Sequence, residues 1–146
     1  MLRKIALSMF AVVGFATLAN AQGTAPEAKA MLEKAVAAVK ADKAKALTSF
    51  NAGTDGFKDR DLYPFCFNGA DGLIVAGPVS VMGKDTRTLK DATSKPYGEE
   101  LFKAGQGATI TEVSYMFPKP GQTEPSAKIS FVTKVGDLGC GVGYYK

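Results

Sequence analysis

The sequence predicts an α+β domain: one long amphipathic helix followed by five antiparallel strands. Three observations predict it. Apolar residues recur at a spacing near 3.6 between positions 25 and 50. Past position 60 the pattern becomes short runs rich in β-branched and aromatic residues. Clusters of Gly, Pro, Asn and Asp separate those runs. Helix first and strands after is the order of an α+β layer pair, not of alternating βαβ units.

The first 21 of the 146 residues read as a leader. Arg3 and Lys4 precede an apolar stretch from Ile5 to Leu18, and Ala19-Asn20-Ala21 has the small-x-small form of a cleavage site. The domain is then residues 22–146, long enough for a sizeable core of its own. No later stretch is long and apolar enough to span a bilayer, so an exported, periplasmic or secreted protein is expected. Without Arg3 and Lys4 the chain carries 16 basic and 14 acidic residues. The basic residues are scattered lysines with only Arg60 and Arg87 as arginines, which excludes the basic stripe of a nucleic-acid binder. There is no histidine, and the two cysteines do not form a CxxC pair. His-based triads and haem attachment are thereby excluded, and the missing CxxC speaks against a redox protein. No metal site or cofactor is expected, and no catalytic set is present; a small exported hydrolase is the weakest reading.

The expected helix covers 25–50. Its apolar stripe is Ala28, Met31, Leu32, Ala35, Val36, Val39, Ala46, Leu47 and Phe50, and Thr24 with Glu27 forms a capping box at its start. Asn51-Ala-Gly53 and Asp55-Gly56 end it. Expected strands cover 62–68, 73–76, 108–117, 127–135 and 140–145, with a turn at Gly69-Ala-Asp-Gly72 and a four-residue turn over 136–139. Residues 79–104 are an insertion with a short helix around Glu99-Glu-Leu-Phe102. Asp71-Gly72 is most economically a turn, and the adjacent Glu99 and Glu100 diverge by about 100° on a helix, which argues against paired acid–base work.

Side chains alternate along a strand, so Tyr63, Phe65 and Phe67 share a face opposite Cys66. Tyr115 and Phe117 share a face, as do Ile129 and Phe131. Two readings stay open: these aromatics fill a core, or they line a ligand pocket. The tyrosines favour a pocket, because a buried hydroxyl wants a polar partner. Lys128 and Arg87 are the candidate cations, and a carboxylate ligand would offset the cost of burying either. Cys66 and Cys140 form a disulfide or remain two buried thiols; their even number in an exported chain favours the bridge.

The order of motifs resembles the single Cache domain family, the extracytoplasmic PAS-like sensor modules of bacterial receptors. The residues that carry it are Asp61-Leu-Tyr63 with Phe65, Asp71-Gly72, Ala76-Gly-Pro78, Val81-Met-Gly83-Lys84 and Leu89-Lys-Asp91, then Val113 to Pro118, Ala127 to Val132 and the closing Gly139-Cys-Gly-Val-Gly143-Tyr-Tyr145. Gly77 stands where the family often has His, Phe117 where Trp is common, and Gly139-Cys140 where an aromatic pair is frequent. The resemblance implies a long helix packed on a five-stranded antiparallel sheet, with first and last strands as central neighbours and Cys66 beside Cys140. It implies a non-catalytic domain that binds a small molecule, an organic acid or amino acid, between the sheet and the insertion, and acts with a membrane receptor, kinase or transport partner. Its implied ligand set is Tyr63, Phe65, Arg87, Tyr115, Phe117, Lys128 and Phe131. Because the chain ends at Lys146 with no membrane or signalling segment, a stand-alone secreted form is expected. The alternative is a ligand-free interaction module that docks on a receptor ectodomain.

Overall fold

A computed structural model describes residues 22–146; the leader expected over 1–21 lies outside the described residues. Helix α1 is Ala25–Ala41 and α2 is Lys43–Ala52. The strands are β1 Pro64–Asn68, β2 Ile74–Ala76, β3 Thr111–Pro118, β4 Pro125–Val135 and β5 Leu138–Tyr145, with α3 Tyr97–Ala104 in the insertion. All five strands are antiparallel in one sheet of order β2-β1-β5-β4-β3. The predicted α+β plan therefore holds, and β1 and β5 are central neighbours.

The helix does not run unbroken from 25 to 50. Asp42 adopts an extended conformation (φ −159°, ψ 99°) and serves both pieces: its N–H donates to the Ala38 carbonyl, and its carboxylate accepts from the Lys45 N–H at 3.0 Å. Aspartate competes for backbone groups in this way and prefers caps to helix interiors. The apolar spacing could not reveal the break, because the buried positions Val39 and Ala46 stay seven residues apart and so keep helical phase across it. At the start, the capping box forms as the Thr24/Glu27 pattern predicts: Glu27 accepts from the Thr24 N–H at 2.8 Å. Glu27 also accepts from Arg60 at 2.7 Å, tying the helix start to the lead-in of β1.

The sheet separates two cores. On one face α1 and α2 pack Met31, Leu32, Ala35, Val39 and Phe50 against Cys66, Phe131, Leu138, Cys140 and Val142. On the other, Tyr97, Leu101 and Ala104 of α3 pack against Phe65, Phe67, Ile74, Val113, Tyr115 and Val132. Cys66 and Cys140 are direct cross-strand partners, Cα atoms 4.1 Å apart, and are joined by a disulfide. The β4–β5 turn is the two residues Gly136-Asp137, shorter than the four expected; Gly136 alone takes a positive φ (60°), as the first position of a type II′ turn requires.

Helix α3 sits tightly on the 3-10 turn Thr86–Thr88, and Gly98 makes the contact possible: a Cβ there would overlap the Thr86 carbonyl oxygen and press on Leu89. Gly98→Ala is expected to destabilise the domain by about 3 kcal/mol through this overpacking, read from the urea midpoint; a loss under 1 kcal/mol would show that α3 can shift freely. Past α3's partner turn, the segment 91–95 seals the outer edge of β3. Asp91 accepts from the Met116 N–H at 3.0 Å, and the Lys95 ammonium donates to the Ser114 carbonyl. The Asp91 carboxyl is held near 2, first by the Thr93 hydroxyl and then by backbone N–H groups that include that of Met116.

Candidate functional site

The α3 face of the sheet carries the polar groups. Cross-strand pairing puts Lys128 opposite both Tyr115 and Tyr145, so the three side chains share that face, and Ser130 follows at the next in-phase position. Strand β5 presents Gly139, Gly141 and Gly143 to the same face. A Cβ on Gly139 would overlap the Phe67 ring, one on Gly141 would crowd Phe65, and one on Gly143 would overlap Lys128 and Ser130. The glycine alternation is thus a trough across which large side chains from β1 and β4 lie flat.

Lys128 is only 2% exposed. Its ammonium donates to the Tyr63 hydroxyl at 2.9 Å and lies 4.4 Å from the Tyr63 ring centroid and 5.1 Å from those of Phe117 and Tyr145. Among the described residues no carboxylate reaches it within 4 Å. Burial lowers its pKa to about 7, and the negative charge of Asp61 works against that shift. Asp61 is itself buried: one oxygen accepts from the Gly23 N–H at 2.7 Å, and the other has no hydrogen-bond partner. Burial likewise raises the Tyr63, Tyr115 and Tyr145 phenols, which stay protonated donors at any ordinary pH. The Tyr115 hydroxyl is bonded to Ser130 at 2.9 Å, its ring is stacked on Tyr97 at 4.3 Å, and Tyr145 donates to the Pro118 carbonyl at 2.7 Å.

Lys128 lines a small, mostly apolar cavity of about 30 Å³ with Tyr63, Phe65, Phe67, Pro78, Thr86, Tyr97, Tyr115 and Phe117 among its walls. That volume is about the share of one water molecule. An open groove of about 570 Å³ adjoins it.

Five of the seven expected ligand residues, Tyr63, Phe65, Tyr115, Phe117 and Lys128, therefore converge on one cavity. Two do not. Phe131 lies on the helix face, stacked on Tyr144 at 5.8 Å. An odd offset of three from Lys128 puts it on the opposite side of a regular strand. Arg87 is a loop clip: it grips Asp85 at 2.6 and 2.9 Å, donates to the Asp71 carbonyl at 2.8 Å and covers the Phe102 ring. Sequence reasoning missed Tyr145, Tyr97 and Asp61. The first was within reach: a two-residue turn at 136–137 fixes the register that pairs Tyr145 with Lys128.

A helix-covered five-stranded antiparallel sheet, with an aromatic cavity between its other face and an insertion, defines a PAS-like sensor-domain architecture. The sequence model of the family described as single Cache domain 2 matches residues 6–145, and the chain belongs to that family. Solved structures agree on the fold. A methyl-accepting chemotaxis protein from Vibrio parahaemolyticus superposes with a TM-score of 0.67 at 22% identity, over 82% of this chain and 86% of that one. A periplasmic sensor domain of a chemotaxis protein gives 0.60 at 25% identity, over 80% and 86%. A Cache chemosensory domain solved to explain carboxylic acid recognition gives 0.60 at 20%, over 80% and 84%. No curated protein matches the chain. Among the described residues, no helix is long and apolar enough to cross a membrane.

Proposed function

We propose that this Cache domain binds a small carboxylic acid at Lys128 and reports or delivers it to a membrane signalling or transport partner, without catalysing a reaction. The reading includes export to the periplasm or beyond after removal of residues 1–21. The observation that carries it is the Lys128 ammonium: buried, facing a cavity, ringed by aromatics and hydrogen-bonded to a neutral phenol, with no carboxylate within 4 Å among the described residues. A buried cation without a counter-ion is costly, and a carboxylate supplies the missing charge together with a strong hydrogen bond. Carboxylic acid recognition by the Cache chemosensory neighbour supports the same chemistry. An organic acid fits better than an amino acid, whose ammonium would face Lys128.

One observation favours the interaction-module reading. The cavity is only about 30 Å³, so its own aromatics, Phe65 and Phe117 among them, nearly fill it. Thermal denaturation in millimolar acetate, propionate and lactate separates the two. Binding is expected to raise the melting temperature by mass action, about 2.7 kcal/mol of stabilisation at a hundredfold excess over Kd. A flat response across organic acids, amino acids and neutral metabolites would favour the interaction module.

A further inference from the structure

Tyr63, Pro78 and Phe117 line both the small cavity and the larger groove beside it, so these side chains stand between Lys128 and a space nearly twenty times the size. The groove is built from the end of α2 and the hairpin after β3, and its charge is one-sided. Lys58 and Lys119 line it, and no Asp or Glu does. Lys119 is half-buried, and among the described residues no carboxylate comes within 4 Å of its ammonium. Its distance from Lys128 is bounded by a shared neighbour. The Lys119 ammonium lies 5.8 Å and the Lys128 ammonium 5.1 Å from the centroid of the Tyr145 ring. The two cations are therefore no more than about 11 Å apart.

We propose that the groove is the second half of the ligand site: a short linear dicarboxylic acid passes through the Tyr63–Phe117 wall, with one carboxylate on Lys128 and the other on Lys119. This rests on the carboxylate reading above and narrows it. The spacing sets an upper limit on the chain length. With C–C bonds of about 1.5 Å, the outer oxygens of an extended four-carbon diacid are roughly 6 Å apart. Charge-assisted bonds of about 2.8 Å at each end bring the reach to roughly 11–12 Å, enough for the largest separation those two ring distances allow. A monocarboxylate of equal length would leave an alkyl end beside Lys119. A long fatty acid would push its apolar tail past two lysines into water.

Isothermal titration of succinate and of butyrate into the wild-type domain and into Lys119→Met, Lys128→Met and Lys29→Met tests this; Lys29 lies on the exposed face of α1, away from the groove. Wild type is expected to prefer succinate by at least tenfold. Lys119→Met should lower the ratio of succinate to butyrate affinity at least tenfold, Lys29→Met should not move it, and Lys128→Met should abolish both. Binding of both acids with a ratio that Lys119→Met leaves unmoved would overturn the dicarboxylate proposal while the carboxylate function stands. Failure of the wild type to bind any acid would overturn the functional reading itself.

Discussion

Lys128→Met is expected to make the ligand-free domain more stable and to remove every carboxylate-induced shift in melting temperature. Methionine keeps the unbranched shape and removes the ammonium. The lysine takes its proton at 10.5 in the free side chain and at about 7 in the fold. Between those pH values the unfolded chain binds a proton that the folded chain does not, so stability rises with pH across that window and is flat in this respect below it. At 1.36 kcal/mol per pH unit the burden near neutrality is roughly 4 kcal/mol. The Tyr63 hydroxyl loses its donor in the variant, so a net gain of about 2–3 kcal/mol is expected, or roughly 10 °C. The phenols act in the opposite direction. Their raised pKa values hold stability that is present below pH 10 and lost above it. Wild-type urea midpoints should therefore climb from pH 7 to 10 and then fall, whereas Lys128→Met should keep only the fall. A variant that is less stable at pH 7, with the climb intact, would show that the lysine is neither buried nor charged as described.

Cys66→Ala with Cys140→Ala should cost about as much in the other direction. The bridge spans a sequence separation of 74 residues. Closing a loop of that length removes roughly 4 kcal/mol of chain entropy from the unfolded state. That is a large share of the 5–15 kcal/mol that holds a typical domain together. Both sulfurs lie inside the helix-side core, at 0% and 1% exposure, so a reductant cannot attack them while the domain is folded. Intact mass after alkylation should show no labelling in buffer with dithiothreitol, and two labels once urea is added. Labelling of both thiols in freshly purified protein without reductant would show that the bridge does not form.

How much of this was legible in the sequence depends on which period carried the information. Alternation of two placed Phe65 and Tyr63 against Cys66 correctly, and the same rule, applied to the interval from Lys128 to Phe131, excludes Phe131 from the cavity face. The break at Asp42 was invisible to the 3.6 period because phase is conserved across it; only the preference of aspartate for caps marked the spot. The register that brings Tyr145 to Lys128 depended on the length of one turn, and reading four residues where there are two displaced it. Arg87 could not be judged from sequence at all. An arginine two residues from an aspartate fits a clip as well as a site, and the competing Asp71 carbonyl comes from a distant turn. The role of Asp61 was equally hidden, since its partner Gly23 is 38 residues away.

The seal on β3 has a consequence for how the molecule behaves in concentrated solution. An uncovered outer strand offers its unpaired amides and carbonyls to any other chain and seeds fibrous assembly. Here a carboxylate and an ammonium from 91–95 already occupy the Met116 amide and the Ser114 carbonyl. At the opposite margin β2 is only three residues long, too brief to template a partner. Both margins of the sheet are thus blunted against edge-to-edge pairing, one by two local hydrogen bonds and the other by its brevity.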